Sequence, residues 1–493
     1  MLEPGSGRKF LSARGLLPSA VMRRTLGALA LVAAGGVVAA LAYSSYTTEQ
    51  DFVRLVASGD EAVAAGRAFE ALEAYSGALA LVPDAAVPYL KRGRVYHERG
   101  ELEASLRDLR RAADIDPSAT RPLEWLGDIS LELGRVERAV EYFRRYVALD
   151  DRNARVFYKL GVAQYRHGAL ADARTSLEGA LALDATLTDA RFVLGLCQRD
   201  LGDLAAARRT LERAVADAPA SPGPREALAE VYAGLGEHQR TIDQLEALAT
   251  LDPGRPERLV AVGQALATSG RDSQAIVVLG RAAERFPDSP LAYAALGRVW
   301  LAAAERRGDR VALLKAVEAL TEAANHASSS SEAMSDLGRA LTIAGDLPGA
   351  GRALRQAVTR LPVSAEAFTR FASVAERQGR LLEARDALLQ FIALVGDRGP
   401  RASVAGRIAD LSLRLGEPLA AMHWLDRAID DTGPSVGLLS RLADAALKGG
   451  DIDRARRAVE EGLALAPDDR ALGALRARIA SEQTRRSGRA PGN

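Results

Sequence analysis

A glycine recurs every 34 residues through most of this 493-residue chain, and a beat that strict leaves few folds open. It falls on Gly66, Gly100, Gly134, Gly168, Gly202, Gly236 and Gly270, breaks by a few residues, returns at Gly345 and Gly379, slips by three, and resumes at Gly416 and Gly450. A series of small residues leads it by seven: Gly59, Gly93, Gly127, Gly161, Gly195, Ala229, Gly263, Gly297, Gly338, Ala372, Ala409 and Ala443. Another follows it by five and is mostly alanine: Ala71, Ser105, Ala139, Ala173, Ala207, Thr241, Ala275, Ala316, Ala350, Ala384, Ala421 and Ala455. Proline closes many units, as at Pro117, Pro219, Pro253, Pro287, Pro362 and Pro467. One supersecondary unit, used about twelve times, accounts for all of these series.

The unit from Pro256 to Pro287 shows the physical cause of each position. Pro256 suits the first turn of a helix, where a missing N–H costs nothing. Leu259, Val262 and Leu266 recur at helical spacing and form an apolar stripe. Gly263 lies on that stripe, where the lack of a side chain lets a second helix approach. Gly270 suits the left-handed turn that ends a helix. Ala275 is expected to face Gly263, with Leu279 filling the space between repeats, and Pro287 stops the second helix. The expected product is an antiparallel helix pair.

These residues resemble the tetratricopeptide repeats, whose bulky-x-x-Leu-Gly-x-x-bulky, Ala-x-x-x-aromatic, Pro signature appears at Tyr293, Leu296, Gly297 and Trp300. It appears again at Leu123, Leu126, Gly127, Ala139 and Phe143, and at Tyr89, Gly93, Tyr96, Ala112 and Pro117. The resemblance implies an all-α, right-handed superhelical solenoid of about twelve helix pairs over residues 52–469, with extra residues around Ala304 to Arg310 and near Asp397 to Arg401. Its framework residues would be Gly93, Gly127, Gly161, Gly195, Gly263, Gly297 and Gly338, with Ala139, Ala173, Ala207, Ala275, Ala350, Ala384 and Ala455. Residues 470–483 read as a capping helix carrying Leu472, Leu475 and Ile479, and 484–493 as a disordered basic tail.

The family likeness further implies that first helices line a concave groove for peptides or proteins. Leu90, Arg94, His97, Arg155, Tyr158, Val162, Tyr165, Phe192, Leu196 and Arg199 would then form its richest aromatic and arginine cluster, of the residue types that dominate binding hot spots. Members that grip a chaperone's terminal carboxylate place cations on this wall. Here Glu124 and Asp128 stand at comparable positions, which argues against a chaperone tail. Glu226, Glu230 and Glu257 make the middle of the groove mildly acidic.

Ahead of the repeats, Thr25 to Tyr43 is a run of nineteen uncharged residues, long enough as a helix to span about 28 Å against the ~30 Å of a bilayer core. Arg8, Lys9, Arg14, Arg23 and Arg24 precede it, so the positive-inside rule keeps residues 1–24 in the cytoplasm and places everything after Tyr43 outside. The run is a retained membrane helix, a signal peptide cleaved near Ala42, or an apolar helix outside any membrane, with translation starting at Met1 or at Met22. Residues 44–51 read as a linker.

Composition narrows the function. Lys plus Arg number 65 and Asp plus Glu 64, a net charge of +1 that provides no general field for nucleic acid. A lone cysteine, Cys197, cannot form a disulfide within the chain and reads as a buried filler. The histidines show no metal-ligand spacing; His97 and His167 read as solvated or capping groups near helix ends, and no cofactor is called for. Ser328 to Ser331 reads as a loop and helix cap. Neither a phosphate-cradling loop nor an activated nucleophile pattern occurs, and the segments outside the repeats are too short for a catalytic domain. The expectation is a non-catalytic scaffold of the bacterial envelope, as in secretion, pilus or exopolysaccharide assembly. An organelle-anchored receptor facing the cytosol is the alternative, and an enzyme a remote one.

Overall fold

The computed structural model describes residues 20–396 and 401–487, and among these every regular element is an α-helix. The chain divides into two compact units, Met1–Pro219 and Ala220–Asn493. The first holds α1 (Ala20–Ala64), α2 (Ala68–Leu81), α3 (Ala86–Glu98), α4 (Leu102–Ile115), α5 (Thr120–Glu132), α6 (Val136–Leu149), α7 (Ala154–His167), α8 (Leu170–Leu183), α9 (Thr188–Asp200) and α10 (Leu204–Asp217). The second holds α11 (Pro222–Gly234), α12 (His238–Leu251), α13 (Pro256–Thr268), α14 (Asp272–Arg285), α15 (Pro290–Arg307), α16 (Arg310–Asn325), α17 (Ser331–Ala344), α18 (Leu347–Ala357), α19 (Ala365–Arg377), α20 (Leu381–Val395), α21 (Arg401–Arg414), α22 (Pro418–Thr432), α23 (Val436–Gly449), α24 (Ile452–Leu465) and α25 (Arg470–Ser487). Each odd-numbered helix packs on the next even-numbered one, giving twelve described pairs in tetratricopeptide-like solenoid order, with α25 laid on the last.

Every glycine of the 34-residue beat has a φ between 70° and 87°, a conformation that only glycine adopts without strain. At Gly270 the Arg271 N–H donates to the Leu266 carbonyl at 2.9 Å, and the Gly270 N–H to the Ala267 carbonyl at 3.0 Å. These two bonds satisfy the end of α13 and reverse the chain into α14.

The leading glycine series works differently from the expectation. Leu279, not Ala275, closes over Gly263: a methyl group added there would lie inside van der Waals contact with Leu279. Leu279 therefore fills the hairpin itself rather than the space between repeats, and Ala275 is buried one turn away. The same knob lies sixteen residues on at Gly161, where an added Cβ would stand 2.6 Å from Leu177 Cγ, and at Gly338 under Leu354. Shape complementarity at this point holds each pair together.

The extra residues around Ala304 to Arg310 lengthen α15 to 18 residues and α16 to 16. The insertion expected near Asp397 to Arg401 falls largely outside the described residues. Residues 44–51, expected as a linker, are helical: α1 runs unbroken from the apolar run into the first helix of the first pair. Its apolar part is bare, with Leu31 76% exposed. Leu472, Leu475 and Ile479 are buried as a cap requires, but α25 continues to Ser487, four residues beyond the expected end. The basic segment at residues 1–19 and the tail at 488–493 lie outside the described residues.

Candidate partner-binding face

Within each unit, first helices of successive pairs touch, as α7 does α9 and α17 does α19. The side chains at these steps form the candidate site. In the second unit every step from α15 to α25 carries an arginine–carboxylate pair. These are Arg298–Glu332 at 3.4 Å, Arg339–Glu305 at 2.6 Å, Arg370–Asp336 at 3.0 Å, Arg407–Glu376 at 3.1 Å, Arg441–Asp410 at 2.9 Å and Arg478–Asp444 at 3.5 Å. Asp336 is buried at 6% exposure, and Arg370 also donates to Ser335 Oγ at 2.9 Å. Burial lifts the Asp336 carboxyl above the usual range although Arg370 and Arg298 pull it down.

The first unit has charged rungs at alternate steps. Lys91 Nζ donates to Asp60 Oδ1 at 2.7 Å, and Lys159 Nζ donates to Glu124 at 2.7 Å and Asp128 at 2.6 Å. Burial works against the Lys159 ammonium, but its hydrogen bonds to Asp128 and Glu124 outweigh it and hold the charge. Glu124 and Asp128, the two acids set against a chaperone tail, thus share the single ammonium of the next helix pair. The steps between these rungs are joined otherwise. His97 Nε2 meets Glu132 Oε2 at 3.1 Å, and Tyr165 donates its hydroxyl to Asp200 Oδ2 at 2.7 Å.

The ten expected site residues consequently fall into two groups. Leu90, Arg94 and His97 gather around Trp125, which the sequence reading does not single out. The Arg94 guanidinium lies 5.5 Å above the indole, and the His97 ring meets it edge-on at 5.3 Å. His97 is therefore not a simple end cap; it packs between two pairs. Together with Val87, Lys91, Thr120, Arg121 and Glu124, these residues (His97 aside) line a cleft of about 790 Å³ between α3 and α5.

The second group lies on α7 and α9. Tyr158 packs half-buried against the core around Ala173, Leu177 and Cys197. Tyr165 and Arg199 converge on Asp200, with Arg199 Nε 2.8 Å from it. Burial and the bond to Asp200 push the Tyr165 hydroxyl up to about 12. Val162, Phe192 and Leu196 are half-buried on the same two helices, and Arg155 is exposed.

The Cys197 thiol is fully buried, and burial, with Asp200 nearby, pushes it up to about 12, far from a reactive thiolate. Among the described residues no cluster of His, Cys, Asp or Glu could hold a metal ion. Ser330 caps α17 by accepting from the Ala333 N–H at 3.1 Å, and Ser331 Oγ donates to the Ala357 carbonyl at 2.8 Å.

Family models described as tetratricopeptide repeat match residues 56–120, 126–188, 158–223, 192–256, 256–299 and 412–479. Solved structures similar to this chain include YrrB, a TPR protein with an unusual peptide-binding site, at 22% identity and a TM-score of 0.36 over 38% of this chain and 98% of that one. MamA is similar at 26% identity and a TM-score of 0.33, over 34% of this chain and 92% of the other. Pseudomonas aeruginosa PilF is similar at 21% identity and a TM-score of 0.34, over 42% and 94%. No curated protein matches the sequence.

Proposed function

This chain belongs to the tetratricopeptide repeat family, and on that premise we propose that it is a non-catalytic scaffold of a bacterial cell envelope, tethered by α1, that binds a protein or peptide along its first helices. One observation carries the binding reading. The arginine and lysine rungs that join first helices give way at the α3–α5 and α7–α9 steps, and there Trp125, Tyr158 and Phe192 stand half-buried beside Arg94 and Arg155. A face whose charges are already paired has little left to offer a partner, whereas aromatic rings and loosely held arginines supply contact area at low entropic cost.

The tether reading draws on α1, whose apolar part from Ala28 has a mean hydropathy of 1.8 in its most apolar window and no side chain buried. The basic residues before that run favour repeats on the outer side of the membrane. Photo-crosslinking from position 158 in native membranes, with mass spectrometry of the product, tests both parts. The expected result is a partner adduct in the carbonate-resistant membrane fraction, diminished when Tyr165 and Phe192 are both changed to alanine. Undiminished capture by that double variant would place the partner elsewhere, and recovery of the intact chain in the soluble fraction would remove the tether.

A further inference from the structure

We infer that the α3–α5 cleft is a docking pocket for an acidic peptide segment, seating one bulky apolar side chain on Trp125 while its carboxylates meet Arg94 and Arg121. The inference rests on the binding role proposed above and specifies the chemistry of one partner segment. The cleft's floor is apolar, made by Trp125, Leu90 and Val87, and Val87 is 53% exposed although it belongs to a packed helix pair. Its volume lies within the ~300–1,000 Å³ typical of pockets that bury a small ligand.

The charges around the floor decide the occupant. Lys91 is already engaged by Asp60, and Glu124 shares the Lys159 ammonium with Asp128. Arg94 reaches its nearest carboxylate, Glu98, only at 4.0 Å, and keeps its guanidinium over the indole. Arg121 is exposed and forms no ion pair or side-chain hydrogen bond among the described residues. The lining of the cleft carries three cations, Lys91, Arg94 and Arg121, against one acid, Glu124, around an aromatic residue. A segment with aspartate or glutamate on both sides of a phenylalanine or leucine complements this arrangement, and a basic segment is repelled by it.

The test uses the full chain in nanodiscs with Trp300 and Trp424 changed to phenylalanine, so that Trp125 is the sole tryptophan. The probe is the doubly blocked peptide acetyl-Glu-Asp-Leu-Phe-Glu-Asp-amide, followed by tryptophan emission and by calorimetry. Saturable binding is expected, lost when Leu and Phe of the peptide become serine, and weakened about tenfold or more by combined Arg94→Glu and Arg121→Glu with the melting curve unchanged. Equal affinity for a peptide with lysines in place of its acids would overturn the inference. So would binding that requires a free terminal carboxylate, or an affinity indifferent to the double arginine variant. If the acidic peptide fails to bind while a partner still crosslinks at position 158, this pocket alone is refuted; if position 158 also captures nothing, the broader binding role falls with it.

Discussion

The first helices of the two units solve the same stacking problem with different side chains. From α15 to α25 an arginine meets a carboxylate at every step, and the Asp336–Arg370 rung is buried. Between α1 and α9 the rungs alternate, with Lys91 and Lys159 holding two steps and His97 with Trp125, or Tyr165 with Asp200, holding the others. Where neighbouring units satisfy each other's charges, the face is committed to holding the array together. Where they do not, rings and arginines stay half-buried or exposed, and these form the face proposed above for a partner. A repeat protein whose units share one backbone can thus divide labour along its length through a few side chains.

The largest expected effect falls on the committed face. Arg370→Met leaves the buried Asp336 with only Arg298, at 3.9 Å, and should cost roughly 3 kcal/mol, read as lost hydrogen-exchange protection in α17 and α19. A buried carboxyl whose pKa is raised stabilises the fold when protonated and loses that contribution as pH rises through its folded value. The deficit of the variant should therefore shrink as pH is lowered towards 4. A deficit independent of pH would mean that lost packing, not the stranded charge, dominates.

Next in size are Gly161→Ala and Gly338→Ala, one from each unit, which force a methyl group against Leu177 and Leu354. Each should cost about 1–3 kcal/mol by thermal melting, and by similar amounts, because the hairpin interior is common to both units. Unequal losses would show that the units differ inside as well as on their faces. Lys159→Met should cost under about 1 kcal/mol, since Glu124 and Asp128 are each a third exposed and can turn to water. A loss as large as that of Arg370→Met would erase the contrast between the faces.

The smallest effect is expected at Cys197. A thiol raised by burial contributes stability that is fully present below its unfolded value near ~8.5 and is lost as pH rises through about 12, so between pH 5 and 8 it contributes no slope. Thiol labelling of the native chain at pH 8 should be negligible and appear only on denaturation. Rapid native labelling would reveal local opening of α9, beside the candidate face.

The sequence displays the hairpin better than the joints between hairpins. Glycine at a left-handed turn is a backbone requirement and shows as an identity repeated at one spacing, as at Gly270. The misplacement of Leu279 arises because a residue four positions beyond Ala275 shares its helix face, and periodicity alone does not say which of the two meets Gly263. The rungs escape notice because their partners lie 31–35 residues apart and vary among lysine, arginine, aspartate and glutamate. A positional trace nevertheless exists: Lys91, Lys159 and Arg441 stand two residues before the small residue of their unit, and Asp60, Asp128 and Asp410 stand one after it in the unit before. Trp125 is missed for the opposite reason. It is unique to its unit, and a search for repetition passes over what occurs once.

The unbroken course of α1 gives the first pair no swivel. From Ala28 to Ala64 there is no turn in which rotation could be absorbed, so the azimuth of the apolar stretch sets the azimuth of Phe52 to Ala64. At 3.6 residues per turn, deleting a single residue between Tyr43 and Phe52 advances everything beyond it by about 100°. Such a deletion shifts Thr48 and Glu49 against Val82 and Ala85 but leaves the helices beyond Phe52 unchanged, and yet it points α3 and α5 in a new compass direction, so that the length of this one stalk sets the aim of the pairs that follow it.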